Sequence, residues 1–284
     1  VSVSFRVMLD LCIEDVEQEL KSLRSDLATI VGMALGVGAI LVAYLMEGGS
    51  LSSVFRLPAV MIVIGGTLGA GMITTSLPTV LAIPSFLRIA FFGQELDYRD
   101  TIDRIVMLAE RARREGILGL EGYLSRTPNL FFRKALQLLI DGTEVTVLRS
   151  ILETEISYVE ERHRRGIELF RKFGGFAPTM GIIGTVLGLI HTLANTTDTA
   201  RMAVGIASAF IATLWGVCSA NLFFLPVSDK LRHRHLEEMS NLELILEGVV
   251  AIQSGENPRV VRTKLLSYIN PQQRYEDIYA SLTR

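Results

Sequence analysis

The chain has 284 residues, 28 Lys or Arg against 30 Asp or Glu, and a formal net charge of −2. A mean hydropathy of +0.38 beside 20% charged residues segregates charge from apolar blocks and argues against an ordinary soluble domain. The near-neutral balance gives no basis for nucleic-acid binding, and two distant cysteines, Cys12 and Cys218, support neither a disulfide framework nor a cysteine metal cluster.

In chain order, residues 1–25 precede the first apolar block. That block is not followed by a small-residue cleavage site, so it reads as a span and not as a signal peptide. Four segments reach the roughly 20 apolar residues that a spanning helix needs: Ala28–Met46, Leu57 to about Leu81, Phe173–Leu193, and Met202 to about Val227. None of them contains Lys, Arg, Asp or Glu. The short connections "EGGSLSSVFR" and "ANTTDTAR" carry only Arg56 and Arg201. The other 26 of the 28 basic residues lie in the amino terminus, the insert between the second and third spans, and the tail. Basic loops stay cytoplasmic, so both termini and the insert are expected on that side of the cell membrane. The glycine pairs Gly32/Gly36, Gly65/Gly69 and Gly184/Gly188 have spacings that let helices approach closely, as in a packed oligomeric bundle.

The insert reads as helical. Ile102, Ile105, Val106 and Ala109 share one face of a helix that ends at Gly116. Thr127-Pro128-Asn129 opens a second helix that Gly142 closes. From Thr143 a longer helix carries an apolar stripe through Leu148, Leu152, Ile156, Val159, His163, Ile167 and Phe170. That helix is positioned to run into the third span, with Gly174-Gly175 as a flexible point and His163 as a packed residue. The tail repeats the pattern at Leu231, Met239, Leu242 and Ile245, turns at "GENP", and ends in the helix "RVVRTKLLSYI". The expected class is an all-α membrane protein with four transmembrane helices and a helical cytoplasmic insert between the second and third. Its segments are an extension (1–25), a first hairpin (26–81), the insert (82–172), a second hairpin (173–227) and carboxy-terminal helices (228–284).

No phosphate loop, dinucleotide pattern or nucleophile elbow occurs, so an enzyme is not expected. "HRH" at His233–His235 reads as part of a solvated basic face, not as a metal site. Inside the spans, Thr185 and Thr213 lie at similar depths on adjacent antiparallel helices. They either face one another along a path or bond back to their own helix carbonyls. His191 sits near the outer end of its span. An ion path usually marks itself with an ionisable group inside the membrane. This chain has none there, so a partner would have to bring the carboxylate.

These segments resemble the MotA/PomA family of flagellar stator subunits, related to ExbB and TolQ. The residues that carry the resemblance are "DLATIVGMALGVGAILVAYLMEGG", "PAVMIVIGGTLGA", "APTMGIIGTVLGLIHTL", "AFIATLWGVCSANLFFLPVSDKL" and "EGVVAIQSGENPRVVRTKLLSYI". Together they cover about residues 26–270, and residues 1–25 fall outside the pattern as an extension or a mis-assigned start. The resemblance implies five such subunits around two copies of a MotB-type partner whose single span carries the ion-binding aspartate. It implies that Thr185 and Thr213 line the ion path and that Pro178 and Pro226 couple ion loading to movement. It further implies that Arg113 and Glu121, with Arg113 on the charged face opposite Ile105 and Ala109, meet the rotor protein FliG. Thr185 matches a threonine of sodium-type members where some proton-type members carry alanine, whereas Ala212 stands where sodium-type members often have a second threonine; this mixed pattern favours protons as the coupling ion and keeps sodium as the alternative. No other cofactor is implied. The rival readings are an ExbB/TolQ-like energiser of a periplasm-spanning partner, and a non-conducting scaffold whose threonines are structural.

Overall fold

The computed structural model describes residues 29–92, 96–195 and 198–269, so the 1–25 extension and residues 270–284 of the tail lie outside the described residues. Every regular element among the described residues is helical. Helix α1 covers Thr29–Met46 and α2 covers Leu57–Thr74, the latter with a wide π-turn at Met61–Gly65. They are followed by α3 (Ile83–Phe92), α4 (Tyr98–Glu115) and α5 (Leu130–Ile140). Helix α6 (Val145–Asn195) is one 51-residue element. Helix α7 (Thr199–Gln253) is 55 residues long with a π-turn at Ala220–Phe224. Helix α8 (Pro258–Leu265) comes last.

Helices α1, α2, α6 and α7 each contain a window long and apolar enough to cross a membrane, judged by length and composition. Much of that apolar surface faces outward. Ile73 is 88% exposed, Leu35 67% and Ile190 59%, which a water-facing surface would not tolerate in contiguous patches.

The structure departs from the sequence expectation at two places. The second apolar stretch is not one helix to Leu81. It stops at Thr74, Thr75 is extended (φ −144°, ψ 170°), and a separate short helix covers Leu77–Leu81. Pro78 explains the break, because its ring would collide with the carbonyl four residues back, which belongs to Thr74. That carbonyl instead accepts from Lys172 Nζ at 3.2 Å. The second departure is at Gly174-Gly175, where α6 runs through without interruption. Gly174 serves packing: a Cβ added there would lie 2.4 Å from a Leu225 methyl.

The chain forms two compact units. The first holds the described residues up to 92 and 163–234; the second holds the described residues of 96–162 and 235–269. In the first unit, Val63, Phe170, Phe173, Ala177, Ala220 and Phe224 are buried together. Phe173 stands edge-on to both Phe170 and Phe224, with centroids 5.9 and 5.3 Å apart, a favoured aromatic geometry.

The second unit is a conventional apolar core. The Asp97 side chain caps α4 by accepting from the Arg99 and Asp100 amides at 2.9 and 3.2 Å. The helix then buries Ile102, Ile105, Val106 and Ala109 and ends at Gly116, whose φ of +80° suits glycine. Asn129 caps α5 through the Phe132 amide at 3.0 Å, and Asn257 caps α8 through Arg259 at 3.0 Å. The stripe residues Leu148 and Leu152 and the tail residues Leu242 and Ile245 join this core. Each such buried Leu or Ile contributes about 1.5–3 kcal/mol. Glu247 ties three helices together, accepting from Arg149 of α6 at 2.7 Å and Lys264 of α8 at 2.9 Å. His163, expected to be packed, is half-buried.

Candidate functional site

The site begins with small residues. Along α6, Gly181, Gly184 and Gly188 face Ala209, Ala212 and Gly216 of α7. A Cβ at Gly181 would stand 2.8 Å from the Ala212 carbonyl oxygen, and one at Gly188 would stand 2.9 Å from the Ala209 Cβ. The two backbones therefore lie as close as glycine and alanine permit. Of the three predicted glycine pairs, Gly184/Gly188 makes this kind of contact. Gly36 meets only a Leu222 methyl, at 3.1 Å, and Gly32, Gly65 and Gly69 meet nothing within 4 Å.

Close approach brings the two predicted threonines together. The Thr185 and Thr213 hydroxyls are hydrogen-bonded to each other. Thr185 Oγ1 also lies 3.0 Å from the Gly181 carbonyl of its own helix and 3.2 Å from the Ala209 carbonyl of α7. Facing one another and bonding back to the helix are thus both realised. Each hydroxyl has one proton. If Thr185 donates to a carbonyl, Thr213 donates to Thr185, and both lone pairs of Thr213 stay available to a further donor. Thr185 is buried and Thr213 half-buried, so Thr213 is the more accessible of the two.

About two turns from Thr185 and between three and four from Thr213, the prolines interrupt the backbone ladder. Pro178 lies inside α6, where it cannot donate to Gly174, and its Cα packs against Gly216. Pro226 follows the π-turn in α7, whose geometry has the Leu225 amide donating to Ala220, five residues back. A wide turn gives the proline ring the room that a regular turn denies it. Asn221 Nδ2 donates to the Val217 carbonyl at 2.9 Å in the same stretch. Nearby, the Trp215 indole donates to the Val54 carbonyl at 2.9 Å and stacks edge-on against Phe55, tying the first connection to α7. Sequence reasoning missed Gly181, Gly216 and this tether. Spacing from Gly184 signalled Gly181, whereas nothing local signalled the indole's partner.

The second unit carries the predicted charged residues. Arg113 and Glu121 are exposed, and neither belongs to an ion pair among the described residues. Their neighbours are engaged. Arg111 pairs with Glu115 at 2.9 Å and lies over the Tyr123 ring at 5.1 Å, and Arg114 pairs with Glu110 at 3.2 Å. One detail differs from expectation. Four residues on from Ala109, Arg113 sits roughly 40° round the helix from it and not on the opposite face. It is exposed because the buried positions of α4 stop at Ala109. Among the described residues, no three His, Cys, Asp or Glu side chains gather as metal ligands would.

Two family models match this chain: the motility protein A N-terminal model over residues 30–116 and the MotA/TolQ/ExbB proton channel model over residues 125–244. Motility protein A of Borreliella burgdorferi is 35% identical over 249 residues, covering 88% of this chain and 96% of its own. This chain belongs to the MotA/TolQ/ExbB proton channel family. Chemotaxis protein PomA of Vibrio alginolyticus is likewise 35% identical, over 89% of this chain and 99% of its own. The fold also matches solved MotAB structures. The C. jejuni MotAB structure aligns with a TM-score of 0.83 at 32% identity, over 87% of this chain and 96% of that one. The Bacillus subtilis flagellar MotAB stator complex aligns with a TM-score of 0.83 at 30% identity, over 87% and 97%. Pro178, Thr185, Thr213 and Pro226 all fall within the proton channel match, Arg113 falls within the N-terminal match, and Glu121 lies between the two.

Proposed function

We infer that this chain is a stator subunit of a bacterial flagellar motor that forms an ion channel with a MotB-type partner and turns ion flow into torque. The observation that carries this reading is the Thr185–Thr213 hydroxyl pair in spans free of carboxylates. A path for cations through such a bundle needs an ionisable group, and the partner's span supplies it. Thr213 offers that group an acceptor at the moment its carboxyl is protonated. Membership of a proton channel family and close likeness to MotAB stators support the same assignment.

The four apolar helices cross the cytoplasmic membrane with both termini and the insert inside, following the placement of basic residues. Five copies surround the partner spans. Arg113 and Glu121, exposed and outside intramolecular ion pairs, meet FliG. The coupling ion is the proton, since Ala212 stands beside Thr213 and offers no side-chain oxygen to a metal cation.

Swimming tests the proposal in a strain carrying this chain and its partner as the only stator. Deletion should abolish swimming without removing filaments. Swimming should persist without sodium and stop with a protonophore. Swimming that requires sodium and survives the protonophore overturns proton coupling, and normal swimming after deletion overturns the stator reading.

A further inference from the structure

The start of α2, the end of α6 and the start of α7 enclose a cleft of about 750 Å³. Its rim carries Arg56, His191 and Arg201, and its floor includes Ala59, Gly188 and Ala209. Arg56 has no ion pair among the described residues. Arg201 reaches only the Asp198 carboxylate, at 3.6 Å along its own helix, and its side chain is 83% exposed. Two guanidinium groups therefore border a cleft whose floor is mostly apolar, with the Thr192 and Ser208 hydroxyls also in its lining and one carboxylate near them.

We propose that this cleft is a phospholipid site, with an acyl chain along the floor and the phosphate held by Arg56 and Arg201. The inference rests on the reading that these helices cross a membrane, where an open apolar cleft fills with lipid. A metal cation is disfavoured by the two arginines. A soluble anion would satisfy the rim and leave the floor uncovered. Guanidinium recognises phosphate through paired charge-assisted hydrogen bonds.

The test uses the complete complex with its single-span partner, reconstituted in phosphatidylcholine vesicles containing a minor share of spin-labelled phosphatidylglycerol. The wild type should show a motionally restricted lipid population. Arg56→Gln with Arg201→Gln should weaken that association by about tenfold or more, the effect of losing one charge-assisted bond or more. Lysine at both positions should retain most of it. Val204→Trp, which fills the cleft from its side and leaves the rim intact, should abolish it while co-purification with the partner persists. Absence of a restricted population in the wild type overturns the site, as does a population unchanged by both the glutamine pair and Val204→Trp. Release of the lipid by inorganic phosphate as complete as that caused by Val204→Trp would make this a free-anion pocket and also overturn it. Reporters at Ser50 and Arg262 separate the two levels of failure. If they lie on opposite sides of the membrane and no lipid is held, the lipid site alone falls. If they lie on the same side, the topology falls with it.

Discussion

Gly216 lies directly against the Ala177–Pro178 peptide of the neighbouring helix. A Cβ added to it would stand 2.6 Å from the Ala177 carbonyl oxygen and 3.2 Å from the Pro178 Cα. The obstacle is backbone, which cannot rotate aside as a side chain would. Gly216→Val is therefore expected to force α6 and α7 apart at a cost of about 1–3 kcal/mol, with Gly216→Ala giving a smaller loss. The yield of assembled complex after detergent extraction reads this directly, and a normal yield with valine would show that the helices separate without penalty.

The prolines are expected to behave differently from Gly216. Alanine at Pro178 or Pro226 restores a backbone donor and removes only ring atoms, so the chain should still co-purify with its partner. Torque measured on tethered cells should nevertheless fall sharply, because an uninterrupted helix would be stiffer at the proposed coupling points. Equal loss of co-purification and torque would assign these residues to folding.

Thr213→Val keeps the volume and deletes the hydroxyl. Thr185 retains its contacts to the Gly181 and Ala209 carbonyls, so insertion and assembly should survive. The loss should be close to the ~0.6 kcal/mol average for interhelical hydrogen bonds in membranes. Ion flux should drop strongly, and Thr213→Ser should recover it. Wild-type flux in the valine variant would make the hydroxyl purely structural.

At the proposed rotor contact, exposed ion pairs are worth about 0–1 kcal/mol each. Neutralising Arg113 or Glu121 singly should thus weaken the contact by no more than about fivefold. Reversing both, with Arg113→Glu and Glu121→Lys, should cut torque while flux remains, and reversing the facing FliG charges should partly restore swimming. Normal swimming of the double reversal across ionic strengths would move the contact elsewhere on the insert.

The Glu247 carboxyl is pushed up by burial, but hydrogen bonds from Arg149 and Lys264 outweigh this and leave it below its ordinary range. A depressed carboxylate contributes stability that is fully present above its unfolded pKa, about 4.3, and is lost as pH falls through the lower folded value. Glu247→Gln should accordingly speed hydrogen exchange in α8 at neutral pH, after correction for intrinsic rates. The difference from wild type should shrink below about pH 4. A difference that does not change with pH would mean that the ion cluster contributes nothing.

Periodicity and punctuation in the sequence by themselves determined the helical class, four helices long enough to cross a membrane, and most helix ends in the insert. Those features depend on neighbours along one chain segment: the apolar stripe of α4, the cap at Asn129 and the left-handed glycines at 116, 142 and 255. The absence of carboxylates in the spans was equally legible, because it is a property of composition. Tertiary structure decided what depends on which helix lies beside which. Depth along the sequence matched Thr185 with Thr213, yet only the glycine–alanine contact of α6 and α7 brought their hydroxyls within bonding distance. The same contact made Gly216 the seat of Pro178. The end of α2 at Thr74 was a local matter, set by Pro78, but the donor for its last carbonyl came from Lys172, 98 residues further on. The acids that engage Arg111 and Arg114 lie one helical turn away on α4 itself and were legible as spacing, whereas the Tyr123 ring against Arg111 came only with packing.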